Sequence, residues 1–275
     1  MKLSSLLLGL ALPLAAQSVR LPGELAPFQR VSIMARVPGI VESVNVDRGS
    51  TVRTGDALIV LHAPEMQARI AEAEAKASAI EAQRVEAEAR FIGAESRFER
   101  LKAAGATPGV VAELDIILAE KERDAAKMLV SALERSAGAA RAQTTALKEM
   151  EAYLRITAPF DGIITARHVH PGALASPDSG SLLELEQVSR LRLVLPVPEA
   201  ELAGIRAGRK LEFKVPAHPG RTFTATIARI PRSLDAATRT MPVELDVPNS
   251  SGALVPGMYC EVEWPKQPTA KPVSR

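Results

Sequence analysis

Aromatic residues are almost missing from this chain: one Trp, two Tyr and six Phe make up 3% of 275 residues. So little aromatic material does not line a large core. Charge of one sign is missing too, since 34 Lys and Arg face 32 Asp and Glu for a formal charge of +2. No basic patch interleaves with aromatics, which argues against nucleic-acid binding. The single Cys260 cannot form an internal disulfide. It sits in the alternation Tyr259-Cys260-Glu261-Val262-Glu263-Trp264, the pattern of an ordinary strand residue. The longest apolar run, near the N-terminus, falls far short of the roughly 20 residues that span a bilayer.

That run has a positive start at Lys2, leucines from Leu3 to Leu12, and small residues at Ala15-Ala16 before Gln17. These are the marks of a secretory signal over residues 1–16. No cysteine follows it, so a lipid anchor on the mature N-terminus is not expected.

Two long proline-free segments occupy residues 64–153, separated only by Lys102 to Gly109. In the first, Met66, Ile70, Ala73, Ala77, Ile80, Arg84, Ala87, Phe91, Ala94, Phe98 and Leu101 follow one another in steps of four and three, a heptad seam. At 1.5 Å per residue each helix reaches about 60 Å. Pro64 suits the first helical turn, Gly105 a left-handed C-terminal position, and Pro108 the start of the return helix. On the return, Leu129, Leu133, Ser136, Ala140, Gln143, Leu147, Met150 and Leu154 keep the spacing. Leu114, Leu118, Ala125 and Met128 lie in another phase, which predicts a register change near residues 126–128.

The flanks of this rod resemble each other. Pro38-Gly39-Ile40-Val41 and Pro159-Phe160-Asp161-Gly162-Ile163-Ile164 both read as turn then strand. Gly39 to Gly49 and Gly162 to Gly172 are equally spaced, and the run after Gly180 echoes that after Gly55. Two half-modules, neither able to bury an apolar face alone, therefore bracket the rod. Their need to meet makes the rod an antiparallel hairpin within one chain. Residues 187–264 carry short strands around Leu193, Phe213, Thr224 and Leu245 and a short helix at 198–205. Together with residues 17–36, strand-like at Arg30 to Ala35, they predict a small barrel. Three prolines mark residues 265–275 as a disordered tail.

The fold class expected is thus α+β and elongated: barrel (17–36 plus 187–264), split β-sandwich (37–63 plus 154–186) and helical hairpin (64–153). This order, with Val37-Pro38-Gly39-Ile40-Val41, Ile156-Thr157-Ala158-Pro159-Phe160-Asp161-Gly162, Val197-Pro198-Glu199-Ala200-Glu201-Leu202, Asp235 to Thr240 and Val255-Pro256-Gly257-Met258, resembles the periplasmic adaptors, or membrane fusion proteins, of Gram-negative tripartite efflux pumps. The resemblance covers most of residues 30–264. It implies a lipoyl-like sandwich, a coiled-coil hairpin, a hexameric homo-oligomer ring, an inner-membrane transporter of the resistance-nodulation-division type and an outer-membrane channel protein as partners, and a periplasmic location against the inner membrane.

In that family an Arg, a Leu four residues on and a Ser seven further contact the channel from the hairpin tip. Arg97 and Leu101 match the first two. The third falls on Pro108 with Thr107 beside it, so Arg97, Leu101 and Thr107 are the expected contact residues. Many members continue into a membrane-proximal domain after the Pro-Gly-Met strand, where this chain has about a dozen residues. That leaves an adaptor of an ATP-driven exporter or type I secretion system as the second reading and a freestanding envelope coiled-coil scaffold as the third.

Chemistry finds little support. A biotin or lipoate carrier needs a lysine at the turn between the halves, where this chain has His62-Ala63-Pro64-Glu65-Met66, so no cofactor is expected. His168 and His170 point to one side of a strand, but no third metal ligand lies near in sequence. Without a Ser-His-Asp spacing or a phosphate loop, the chain does not read as an enzyme.

Overall fold

The computed structural model describes residues 18–107, 110–203 and 205–265. The expected signal (1–16), Pro108 and nearly all of the expected tail lie outside them. The first strand, β1 (Ser18–Ile33), is 16 residues long. Then come β2 (Gly39–Val44), β3 (Thr51–Val52) and β4 (Ala57–His62), the helices α1 (Pro64–Gly105) and α2 (Glu113–Ala152), and β5 (Arg155–Thr157), β6 (Gly162–Arg167) and β7 (Leu174–Ala175). The chain ends with β8 (Leu183–Pro198), β9 (Lys210–Lys214), β10 (Thr222–Arg229), β11 (Thr240–Pro248) and β12 (Tyr259–Pro265).

The order β1-β12-β9-β10-β11-β8 closes on itself because β1 also pairs with β8, giving a six-stranded barrel. Alternation drives it: Leu191, Leu193, Leu195 and Val197 on β8 all point into a core shared with Leu25, Phe213, Leu245 and Val262, each fully buried. Cys260 lies in the same core, where burial pushes its thiol up to about 12. β1 was legible only from Arg30 onward, yet it runs straight through Pro22-Gly23 and Pro27. Gly23 permits this, because a Cβ there would stand 2.8 Å from Leu193 Cδ1. The helix expected over 198–205 is a single 3-10 turn, Glu199–Glu201.

A second sheet, β5-β4-β2-β7, packs against β6, β3 and the lower ends of β1 and β8. Its core joins Leu58, Ile59, Ile164, Leu183 and Leu185 from both half-modules. The internal repeat is visible bond by bond. Gly49 N–H donates to Ile164 O at 2.7 Å, and Gly172 N–H donates to Val41 O at 2.8 Å. Val41 and Ile164 hold equivalent places, and their own N–H groups donate to Ala173 and Ser50. Gly49 and Gly172 both take positive φ, 90° and 87°, which side chains disfavour. Asp161 ties the halves again: its Oδ1 accepts from Thr54 N–H at 2.7 Å and Thr54 Oγ1 at 2.9 Å.

Met66, Ile70, Leu147 and Leu154 root the helices in the sandwich core. From there α1 and α2 run antiparallel, fastened by Glu74–Lys148 (2.6 Å), Glu81–Arg141 (2.6 Å) and Arg97–Glu122 (2.9 Å). Every expected seam residue of α1 is buried or half-buried. The return helix differs from expectation. Its inward positions are Ile116, Ala119, Arg123, Ala126, Val130, Leu133, Ala137, Ala140, Thr144, Leu147, Glu151 and Leu154, in unbroken steps of three and four. There is no register change near residues 126–128, and Leu129, Ser136, Gln143 and Met150 are exposed. Alanines at the true seam let the helices approach, so small residues do the packing that the larger ones beside them suggested.

Candidate functional site at the hairpin tip

The far end of the hairpin is built around Phe98. Its ring is buried between the two helices, with the Arg123 guanidinium 4.4 Å and the Lys102 ammonium 5.5 Å from its centroid. Arg123 takes a seam position and turns its charge to Asp124, whose carboxyl is held below its ordinary range by that hydrogen bond. Gly105 is the last residue of α1 and is not left-handed; the residue after it, Ala106, has φ −63°. Its smallness serves another purpose. A Cβ there would stand 2.5 Å from Ile116 Cδ1, so glycine lets the two helix ends close on each other. α2 begins at Glu113, five residues past the expected proline start, with acidic Glu113 and Asp115 in its first turn.

The three expected contact residues fall in different settings. Arg97 reaches across to Glu122, both side chains more than half exposed. Leu101 is half-buried in the seam, while Thr107 is exposed on the turn, its N–H donating to Ala104 O at 3.2 Å. All three lie within the last turns of the hairpin. Sequence reasoning missed their neighbours on the return strand of the tip. Val110, Leu114, Ile117 and Leu118 are 60%, 64%, 44% and 58% exposed, and Met128 and Leu129 continue the apolar surface. Leu114, Leu118 and Met128, off-phase in the sequence, stand exposed on the outer face of α2, away from the seam. Large apolar side chains grouped outside any core in this way are characteristic of contact surfaces.

Elsewhere, His168 and His170 are exposed, and His168 Nε2 lies 3.9 Å from Glu184 Oε1. Among the described residues no three His, Cys, Asp or Glu side chains gather as metal ligands, and no helix is long and apolar enough to cross a membrane.

The family model "CzcB-like, barrel-sandwich hybrid domain" matches residues 29–182, and "CusB-like, beta-barrel domain" matches residues 192–268. Nodulation protein NolF of Rhizobium meliloti is 29% identical over 244 residues, covering 89% of this chain and 62% of NolF. The efflux pump periplasmic linker BepD of Brucella suis is 27% identical over 252 residues, covering 86% of this chain and 59% of BepD. The chain thus spans about three-fifths of the length of these two relatives. In three dimensions MacA from Actinobacillus actinomycetemcomitans superposes with a TM-score of 0.80 at 18% identity, over 90% of this chain and 78% of MacA. That likeness is one of fold.

Proposed function

Because the chain belongs to the membrane fusion proteins, resistance-nodulation-division type, we propose that it works as a periplasmic adaptor joining an inner-membrane exporter to an outer-membrane channel. The family assignment rests on two models that match in order around the hairpin. The role that BepD's name states, an efflux pump linker, is carried to this chain on that basis. Its work is mechanical, with no bond made or broken in this subunit.

In this reading the chain divides as its sequence suggests, into barrel, lipoyl-like sandwich and coiled-coil hairpin, preceded by a signal over residues 1–16. The barrel end meets the exporter, six copies form a ring, and the tips meet the channel. The observation that carries the tip assignment is the exposed apolar cluster Val110, Leu114, Ile117 and Leu118 beside Arg97 and Thr107. A photo-crosslinking residue at Leu118, on the full chain in its own cells, tests it. Capture of an outer-membrane channel supports the reading. Capture confined to inner-membrane proteins, or none at all, overturns it.

A further inference from the structure

Where β1 and β8 pass from one core to the other, a cleft of about 980 Å³ opens between barrel and sandwich. The size suits a drug-like molecule, for which sites run to roughly 300–1,000 Å³. Half-buried Phe28, Phe160, Ile163 and Val188 supply apolar wall. Phe28 is the residue of β1 that interrupts the register with β8, and Arg190 and Arg192 hold its ring from 4.5 and 4.9 Å.

In the same wall stands Glu186, only 5% exposed. Its Oε1 accepts from Arg30 Nε at 2.7 Å. Among the described residues its other oxygen has no hydrogen-bond partner, and it is not sealed in, since the one sealed, unpartnered side-chain polar atom among them is Arg192 Nε. Glu186 thus lines the cleft with one acceptor unpaired, which a donor with positive charge would satisfy. The lining carries three carboxylates, Glu24, Glu186 and Glu244, against two guanidiniums, Arg30 and Arg192, while Arg190 beside Phe28 is paired with Asp246. Arg30 is spent on Glu186, and Arg192 on Glu244, which Arg229 also binds. Glu24, on the rim, has no ion pair among the described residues.

We propose that this cleft binds an apolar organic cation, its charged N–H head on the unpaired oxygen of Glu186 and its hydrocarbon body against Phe160 and Ile163. The site is independent of the adaptor reading, and either can fail without the other. Three probes with one body and different heads test it on the full chain: 4-phenylbutylammonium, 4-phenylbutanol and 4-phenylbutyrate, followed by calorimetry and saturation-transfer NMR. The ammonium is expected to bind at least tenfold tighter than the alcohol, and the carboxylate weakest. Glu186→Gln should lower ammonium affinity at least fivefold and leave the alcohol unchanged, whereas Phe160→Ala should weaken both alike. If Glu186→Gln does not fold, the exposed Glu24→Gln serves, with a smaller loss for the ammonium alone. Equal affinity of ammonium and alcohol, preference for the carboxylate, an ammonium affinity untouched by both Glu variants, or no binding by any probe overturns the proposal.

Discussion

The barrel and the hairpin solve the problem of cohesion in opposite ways. The barrel draws 19 buried residues into one core, and Leu193, Leu195, Phe213 and Leu245 are wholly shielded. The hairpin has two helices of 42 and 40 residues and buries only Met66, Ile70, Ala73, Ala87 and Phe98 on one and Ala119, Ala137 and Ala140 on the other. Most of those are alanines, and ion pairs fasten the rest. Cohesion in the barrel is concentrated and shared by every strand. In the hairpin it is thin and local, carried by a few scattered side chains along its length.

That contrast is open to attack in order of expected effect. Phe213→Ala in the barrel should cost about 3–5 kcal/mol in denaturant unfolding, with the whole barrel lost together. Phe98→Ala should cost less, about 1–3 kcal/mol, and act locally: hydrogen exchange should quicken around Phe91 to Val130 while barrel amides keep their protection. Equal protection loss in both regions would show that the hairpin is not the looser body. Two glycines give a sharper test. In Gly162→Ala the new Cβ meets the Glu186 carbonyl oxygen, part of the backbone, which cannot turn aside. In Gly105→Ala it meets the end of the Ile116 side chain, which can. Thermal melts should fall far more for the first, and the reverse order would break the comparison. Leu114→Ser with Ile117→Ser should leave stability within about 0.5 kcal/mol but abolish channel crosslinking from position 118 at the tip.

The smallest effect concerns acid. Hydrogen bonds from Thr54 N–H and Oγ1 hold Asp161 below its ordinary range. A carboxylate lowered in the folded state stabilises above its unfolded value and loses that contribution as pH falls through the folded one. Asp161→Asn should therefore lower the melting temperature slightly at neutral pH. The difference from the parent chain should shrink toward acid, and a difference constant with pH would reject the assignment.

Much of this architecture was legible before any coordinates. The seam of α1 shows because Ile70, Ile80, Phe91, Phe98 and Leu101 are larger than their neighbours. The seam of α2 was read half correctly. Leu133, Ala140, Leu147 and Leu154 face inward as expected, but Val130, Ala137, Thr144 and Glu151 take the places assigned to Leu129, Ser136, Gln143 and Met150. Apolar side chains on the outer face, from Leu114 to Met150, gave a competing period, and the seam itself admits Arg123, Thr144 and Glu151 near its wet edges. The tip site was hidden for the same reason, because its apolar residues look like misplaced seam. The two half-modules are legible through their matching turn-and-strand segments and glycine spacing, since Gly49 and Gly172 answer a backbone demand that recurs in both copies.

The two 16-residue strands that cross from one core to the other give the molecule a mechanical character of its own. Glu24 to Ile33 pairs with Leu183 to Val194, so β1 and β8 form one ribbon through both bodies. A pull along the long axis loads this ribbon in shear, and hydrogen bonds lying across the strands share the force instead of breaking one at a time. The ladder is interrupted only between Pro27 and Gln29. The ribbon is therefore stiff in tension and yields in bending at Phe28, like a strap with a single crease.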